Sequence, residues 1–209
     1  MDAVASPVAI HRALPPEEAA RGDLYALLAR LFHAAPDGDL LHTLASAEPM
    51  PADGDAALAK AWQDLVHASA AMDAEAAADE FDALFGGVGK SQVSPYAGYY
   101  SGALAVDHPR INIQNDLAAL GLGRRASVTE PEDHFAGLLD VMRVLVAGGA
   151  GRSPAALAEQ RRFYAAHVEP GVGKFLLAVA AARGANYYRA VAALGAAFVS
   201  IETESFSLD

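Results

Sequence analysis

Apolar residues recur at helical spacing along most of this chain. The first such stripe contains Leu24, Leu27, Leu28, Leu31 and Phe32. Residues spaced in this way share one face of a helix, whose period is about 3.6 residues. We find no convincing segment in which apolar and polar residues alternate as they do in a half-buried strand. The sequence therefore predicts an all-α fold, a single-domain bundle of about nine or ten helices with short connections.

The domain organisation follows from the length of the chain and from its glycines and prolines. With 209 residues the chain can bury one sizeable core and does not require two. We expect one helical domain over residues 1–209, with a flexible N-terminus at residues 1–14. A segment rich in Gly, Ser, Pro and Tyr runs from Gly86 to Pro109 and interrupts the alanine-rich helices. Its first part, residues 86–94, is predicted to be a hinge loop, a feature that can permit domain swapping.

The charge of the chain restricts its partners. Asp and Glu number 26 while Lys and Arg number 15, so the formal net charge is −11. A surface of this sign repels phosphate backbones and anionic lipids, and it attracts cationic partners. We therefore expect no nucleic-acid binding, and we regard a basic peptide as a natural class of ligand.

Several classes of protein are disfavoured by what the sequence lacks. It contains no cysteine, which excludes disulfides, thiolate metal sites and a cysteine nucleophile. No uninterrupted apolar run approaches the roughly 20 residues of a transmembrane helix. The first residues lack the basic and apolar regions of an export signal. We therefore expect a cytoplasmic protein without stable membrane insertion.

The most informative stretch reads Glu-Pro-Glu-Asp-His over residues 130–134, and we call it the acidic corner. It precedes an apolar helix that stops at Gly148. Proline is suited to the first position of a helix, so we predict that this helix opens at Pro131 with Glu130 as its cap. Three carboxylates and a histidine then crowd around the positive end of the helix.

The acidic corner has a structural interpretation and functional ones. Acids are common at helix starts, where they need no ligand. Asp133 and His134 could instead form an acid–base pair or bind a metal, although neighbouring helical residues point about 100° apart. The histidines of the chain lack the Glu-x-x-His and His-x-x-x-His spacings of helical metal sites.

The string Gly89-Lys90-Ser91 resembles the end of a phosphate-binding loop. It lacks the leading glycine and the preceding strand that such a loop requires. We predict no cofactor, no metal and no catalytic residue. An enzyme that uses Asp133 and His134 stays as the alternative.

Several short motifs occur in the same order as in one known family. They are Phe-Asp-Ala-Leu-Phe-Gly at 81–86, Ser-Pro-Tyr at 94–96, Gly-Leu at 121–122, the acidic corner, and Gln160, Phe163 and His167 ahead of Glu169-Pro170. In these motifs the chain resembles the TorD/DmsD family of redox-enzyme maturation chaperones, from about residue 20 to residue 204. It departs from the family at Leu117, where an aromatic residue is common, and at Gly171, where tryptophan is common.

The resemblance implies a function and a set of partners. Members of the TorD/DmsD family are not enzymes. They bind the N-terminal twin-arginine signal peptide of a molybdenum-cofactor oxidoreductase subunit in the cytoplasm, and they hold the apo-form of that subunit back while its cofactor is inserted. The resemblance thus implies a chaperone whose partners are the signal peptide and the apo-form of a molybdoenzyme catalytic subunit, acting as a monomer or homodimer. A structural subunit of a larger complex is a further alternative.

The residues expected to bind the signal peptide fall into two groups. Glu130, Asp133 and His134, arranged around Pro131, offer carboxylates and a ring to the arginine pair. The aromatic group contains Phe85, Tyr96, Tyr99 and Tyr100. It is expected to line a groove between helices that receives the apolar part of the peptide.

Overall fold

The structure is a computed structural model and describes residues 14–51, 54–86, 91–100, 109–123, 130–149 and 151–208. All regular secondary structure in these ranges is helical, which confirms the all-α prediction. The helices are α1 (Pro16–His33), α2 (Gly38–Ala45), α3 (Ala56–Ala71), α4 (Ala74–Phe85), α5 (Ala97–Tyr100), α6 (Pro109–Ala119), α7 (Phe135–Ala147), α8 (Leu157–Phe163), α9 (Glu169–Ala181) and α10 (Tyr187–Leu208), with a π-helical turn (Tyr164–Val168) between α8 and α9.

Helix α7 is largely buried and packs along α1. Its buried residues are Phe135, Ala136, Leu138, Leu139, Met142, Leu145 and Val146, the apolar face that its sequence predicts. The two helices approach so closely at Gly22 that a Cβ there would lie 3.0 Å from the Cβ of Ala147. The absence of a side chain at Gly22 therefore permits this crossing. Around the pair, α10 packs on α9 and α3, and α2 packs on α3.

A cluster of aromatic rings joins α1, α4, α7, α9 and α10. We call it the aromatic cluster, and it consists of Phe32, Phe85, Phe135, Phe175 and Tyr188. The ring of Phe175 stacks on Phe135 at a centroid distance of 4.6 Å and meets Phe32 edge-on at 4.9 Å. Such pairs contribute about 0.5–1.5 kcal/mol each beyond the burial of their surface. The aromatic cluster therefore fixes the position of Phe135, the first residue of α7.

Helix α9 begins earlier than the sequence suggests. The string Glu169-Pro170-Gly171 predicts a break and a new helix from Lys174, whereas α9 begins at Glu169. Pro170 is accommodated because it lies in the first turn, where a missing N–H leaves no helical hydrogen bond unmade. The preceding π-helical turn leads the chain from α8 into α9 without a loop.

Two further helix starts differ from the prediction. The pair Ser94-Pro95 predicts the start of a short helix with three tyrosines, whereas α5 begins at Ala97, so it carries two of them and Tyr96 precedes it. The pair Ser153-Pro154 likewise predicts a helix start, whereas α8 begins at Leu157. The reason for the second difference is tertiary, because the N–H of Ala155 donates to the carbonyl of Leu145 in α7 at 2.8 Å.

The predicted flexible segments fall mainly outside the described residues. Residues 1–13 and 87–90 are not described, so the flexible N-terminus and most of the hinge loop stay predictions. The far side of that loop is anchored. Val93 is buried, and its N–H donates to the carbonyl of Leu84 at 3.0 Å.

Helix α10 is a core helix of the bundle that is held to α1 by a buried ion pair. Among the described residues it is the one helix long and apolar enough to cross a membrane by length and composition. It also carries the buried acid Glu202, whose carboxylate accepts hydrogen bonds from Arg21 Nε and Nη2, both at 2.8 Å, and from the hydroxyl of Tyr25 at 2.7 Å. Because Arg21 and Tyr25 belong to α1, these bonds lock α10 into the bundle.

The N-terminus of α10 is capped by a residue from another helix. The sequence predicts Asn186 as the cap, but the carboxylate of Glu80 in α4 accepts from the N–H groups of Asn186 at 2.9 Å, Tyr187 at 3.1 Å and Tyr188 at 2.8 Å. The side chain of Asn186 donates to the carbonyl of Gly184 instead. A carboxylate satisfies several orphan N–H groups and also complements the positive end of the helix dipole. Glu80 thus ties α4 to α10.

We predict that Glu80→Ala lowers the free energy of unfolding by about 2–3 kcal/mol, because it leaves three N–H groups without their charged acceptor. Urea denaturation followed by circular dichroism measures the change. Asp79→Ala is the matched control, since it removes the same charge from the next, exposed residue of α4. Equal losses in the two variants would contradict the capping role.

Candidate functional site

Helix α7 begins at Phe135, so the prediction that it opens at Pro131 is wrong. The carbonyl of Pro131 accepts from the N–H of His134 at 3.1 Å, and residues 131–134 form a turn. His134 is the N-cap of α7: its Nδ1 accepts from the N–H of Ala136 at 3.1 Å. The imidazole thus supplies the acceptor that the first turn requires.

The acidic corner is joined to the tyrosine segment by a short backbone bridge. The N–H of Ala97 donates to the carbonyl of Asp133 at 2.8 Å, and the N–H of Phe135 donates to the carbonyl of Pro95 at 2.9 Å. These bonds pair Tyr96 with His134 in antiparallel fashion. The two rings also meet edge-on at 5.4 Å. Two motifs that lie far apart in the sequence therefore form one site.

The carboxylate of Asp133 is buried beneath an arginine that the sequence analysis did not select. Asp133 is 5% exposed, and its Oδ1 accepts no hydrogen bond within the described ranges. The guanidinium of Arg110, near the start of α6, lies above it with Nε 3.7 Å from that oxygen. Nη2 of the same guanidinium lies 3.6 Å from Oε2 of Glu132. The acidic corner is thus recessed rather than a fully exposed rim.

His134 is held neutral by its surroundings. Burial lowers the pKa of His134 from 6.5 to about 4, with the charge of Glu130 opposing this shift and that of His33 adding to it. Because Nδ1 accepts the capping hydrogen bond, the neutral ring carries its proton on Nε2. His134, which the sequence analysis expects to bind the signal peptide, therefore has a definite role in the fold as well.

The predicted aromatic residues differ in their exposure. Tyr99 is 74% exposed, and its ring meets that of Tyr100 at 4.9 Å. Tyr100 is half-buried and in turn contacts Phe135 at 6.0 Å and Phe175 at 6.1 Å. Phe85 belongs to the aromatic cluster, where it packs mainly as a core residue. The tyrosines are thus the aromatic groups presented beside the acidic corner.

A second polar cluster ties α6 to the π-helical turn. The carboxylate of Asp116 accepts from Arg162 Nη1 at 2.7 Å and lies 2.6 Å from Nε2 of His167. Burial acts to raise the pKa of Asp116, but its contacts with Arg162 and His167 outweigh that effect and lower the pKa. His167 belongs to one of the family-like motifs, whereas no local signal in the sequence links it to Asp116.

The polar side chains are not grouped as a metal centre in the part of the chain that the structure describes. Three or more His, Asp or Glu residues do not converge there in a way that could hold an ion. For the acid–base alternative, Nδ1 of His134 is already engaged as the cap of α7. The described part of the site thus combines the buried acid Asp133 with the exposed ring of Tyr99.

We predict that the fold loses stability as the pH falls from about 7.5 to 5, because the unfolded chain protonates His134 near pH 6.5 while the folded chain resists protonation down to about pH 4. The contribution of the neutral His134 to the free energy of unfolding is fully present above about pH 6.5. By pH 5 roughly 2 kcal/mol of it is lost. Urea denaturation at several pH values measures it. His134→Asn keeps a capping acceptor without a titrating ring, so this variant should lack that part of the pH dependence; identical profiles would contradict the prediction.

Comparison with known proteins identifies the family. Residues 52–176, more than half of the chain, match the family described as nitrate reductase delta subunit. No curated protein matches the chain. The matched family is one of TorD-type chaperones for molybdoenzyme maturation and not of catalysts, which confirms the resemblance at the level of the family and the prediction that the chain is not an enzyme. The chain belongs to the nitrate reductase delta subunit family of redox-enzyme maturation chaperones.

Proposed function

We propose that this chaperone binds the N-terminal twin-arginine signal segment of a molybdenum-cofactor oxidoreductase subunit in the cytoplasm and assists cofactor insertion before export. The observation that carries the proposal is the buried oxygen of Asp133, which accepts no hydrogen bond from the described residues and lies beside the segment that carries the exposed Tyr99 and the half-buried Tyr100. Membership of a family of molybdoenzyme chaperones supports the class of client.

The acidic corner suits a guanidinium ligand. A buried carboxylate oxygen without a hydrogen bond is costly unless a donor reaches it. A client arginine presents several N–H donors in a planar fork, which matches carboxylates better than the single ammonium of lysine does. The net charge of −11 adds a long-range attraction for such a peptide.

The tyrosines beside the acidic corner suit the apolar part of the same segment. Tyr99 and Tyr100 lie on α5, whose start is fixed by the bridge to Asp133. Their position is further held from α9, because Lys174 Nζ donates to the carbonyl of Tyr100 at 3.0 Å. An amphipathic ring is a rigid contact for apolar side chains, and it loses little conformational entropy on binding. The ring of Tyr96 meets that of His134 edge-on. Tyr96 thereby links the residues proposed to bind the client arginine to those proposed to bind the apolar part of the segment.

Binding of the client's N-terminus explains how the chaperone would act during maturation of the oxidoreductase. A signal segment bound at the acidic corner is withheld from the export machinery while the apo-subunit acquires its cofactor. The client is then the apo-form of a molybdoenzyme catalytic subunit, and the chaperone acts as a monomer or a homodimer. A purely structural subunit would not need Asp133 to bind a peptide, so binding measurements separate these roles.

We predict that Asp133→Asn weakens binding of a twin-arginine signal peptide roughly ten- to a hundredfold, because it removes the charge that receives the guanidinium. The melting temperature should change little, since the amide keeps the shape of the side chain and Asp133 makes its structural bond through its backbone carbonyl. Isothermal titration calorimetry and thermal unfolding measure the two effects on the same samples.

The matched control for this experiment is Asp140→Asn. Asp140 lies on α7, the helix that follows the acidic corner, is largely exposed and pairs with Arg143. The control therefore removes one negative charge without touching the acidic corner. If Asp133→Asn and Asp140→Asn bind the peptide equally well, Asp133 is not the arginine contact. His134→Ala is less informative, because it removes the cap of α7 together with any peptide contact.

We predict that affinity for the same peptide falls as ionic strength rises from about 20 to 500 mM, because salt screens the long-range part of the attraction. The apolar contact with the tyrosines should persist at high salt. A peptide with both arginines replaced by glutamine is the control, and its affinity should depend less on salt. Equal salt dependence of the two peptides would contradict the electrostatic contribution.

A further inference from the structure

The guanidinium of Arg110 is placed where a client guanidinium would bind. Arg110 is the second residue of α6, and its side chain is 56% exposed. Its Nε lies 3.7 Å from Oδ1 of Asp133, and its Nη2 lies 3.6 Å from Oε2 of Glu132. One planar fork therefore spans two of the three carboxylates of the acidic corner, those of Glu132 and Asp133.

The contact of Arg110 is loose compared with other arginine pairs of the chain. Arg21 reaches Glu202 at 2.8 Å, Arg162 reaches Asp116 at 2.7 Å and Arg143 reaches Asp140 at 2.6 Å. The separations at Arg110 exceed the range of about 2.7–3.2 Å over which an N–H donates a hydrogen bond to oxygen. Arg110 thus neutralises charge at the acidic corner without satisfying the hydrogen-bonding capacity of Asp133 Oδ1.

We propose that Arg110 is an intramolecular placeholder that occupies the guanidinium subsite of the empty chaperone and is displaced by an arginine of the client. This inference rests on the proposed function of the acidic corner. The ligand class it names is a guanidinium group, because the resident group that holds the subsite is itself a guanidinium.

A placeholder of this kind has two physical consequences. An uncompensated charge is costly to bury, and Arg110 reduces that cost for Asp133 while the site is empty. It also makes the site selective, since a ligand has to replace an ion pair and therefore has to offer better hydrogen bonds than the resident arginine does. A peptide that carries only scattered positive charge gains less from this exchange.

The test is the affinity of Arg110→Gln for a twin-arginine signal peptide. Removing the competitor should tighten binding by about 1.5- to fivefold, as expected for the loss of a part-exposed ion pair. Arg143→Gln is the control for net charge, because it makes the same charge change about 12 Å along α7 from its first residue, Phe135. The gain in peptide affinity caused by Arg110→Gln should exceed that caused by Arg143→Gln. It should vanish when Asp133→Asn is present in the same chain.

A second variant guards against an indirect effect on α6. Arg110→Lys keeps the positive charge but lacks the planar fork, so its affinity should lie between those of the wild-type chain and Arg110→Gln. Thermal unfolding of each variant reports whether α6 and the acidic corner remain folded.

The outcomes separate this inference from the proposed function. If the wild-type chain binds and Asp133→Asn weakens binding, but Arg110→Gln binds no better than Arg143→Gln, the placeholder is wrong and the proposed function stands. If neither the wild-type chain nor Arg110→Gln binds the peptide, the proposed function fails and the placeholder fails with it.

Discussion

The candidate site depends on two backbone hydrogen bonds, from Ala97 to Asp133 and from Phe135 to Pro95. They join the segment before α5 to the segment before α7, and so they determine where both helices begin. Backbone bonds of this kind are directional, and the groups they pair would be costly to bury alone. With the bridge in place, Tyr96 lies on the ring of His134 and Phe135 is delivered to the aromatic cluster. The candidate site and the hydrophobic core are therefore parts of one arrangement.

Acids inside this fold are treated in two different ways. The half-buried Glu80 receives short hydrogen bonds from the start of α10 and ties it to α4, and the buried Glu202 receives them from α1 and ties it to α10. Asp133 is as deeply buried, but its Oδ1 accepts no hydrogen bond from the described residues and faces a guanidinium at 3.7 Å. A charge that is buried without full hydrogen bonding is destabilising unless something else supplies the donors. This difference distinguishes the acids that build the fold from Asp133, the acid that we propose binds the client.

The neutral state of His134 connects the fold to the site. Its ring caps α7 and packs on Tyr96, so the residue is structural, yet it lies next to the acid proposed to bind the client. A protonated ring would lose Nδ1 as an acceptor and would place a second positive charge near the guanidinium subsite. Burial, which lowers its pKa to about 4, therefore preserves both the helix start and the negative character of the acidic corner near neutral pH.

The sequence by itself determined the helical class, the buried face of α7 and the motifs that belong to the family, because periodicity, propensity and motif order are local properties of the chain. It also selected Asp133, His134 and Tyr96, which the structure brings together. Only the tertiary structure decided that α7 starts after His134, that Glu80 caps α10, that Phe85 joins the core and that Arg110 lies over Asp133. Each of these depends on which distant group reaches an unsatisfied donor, acceptor or charge, and that choice is made by packing between helices rather than by neighbours in the sequence.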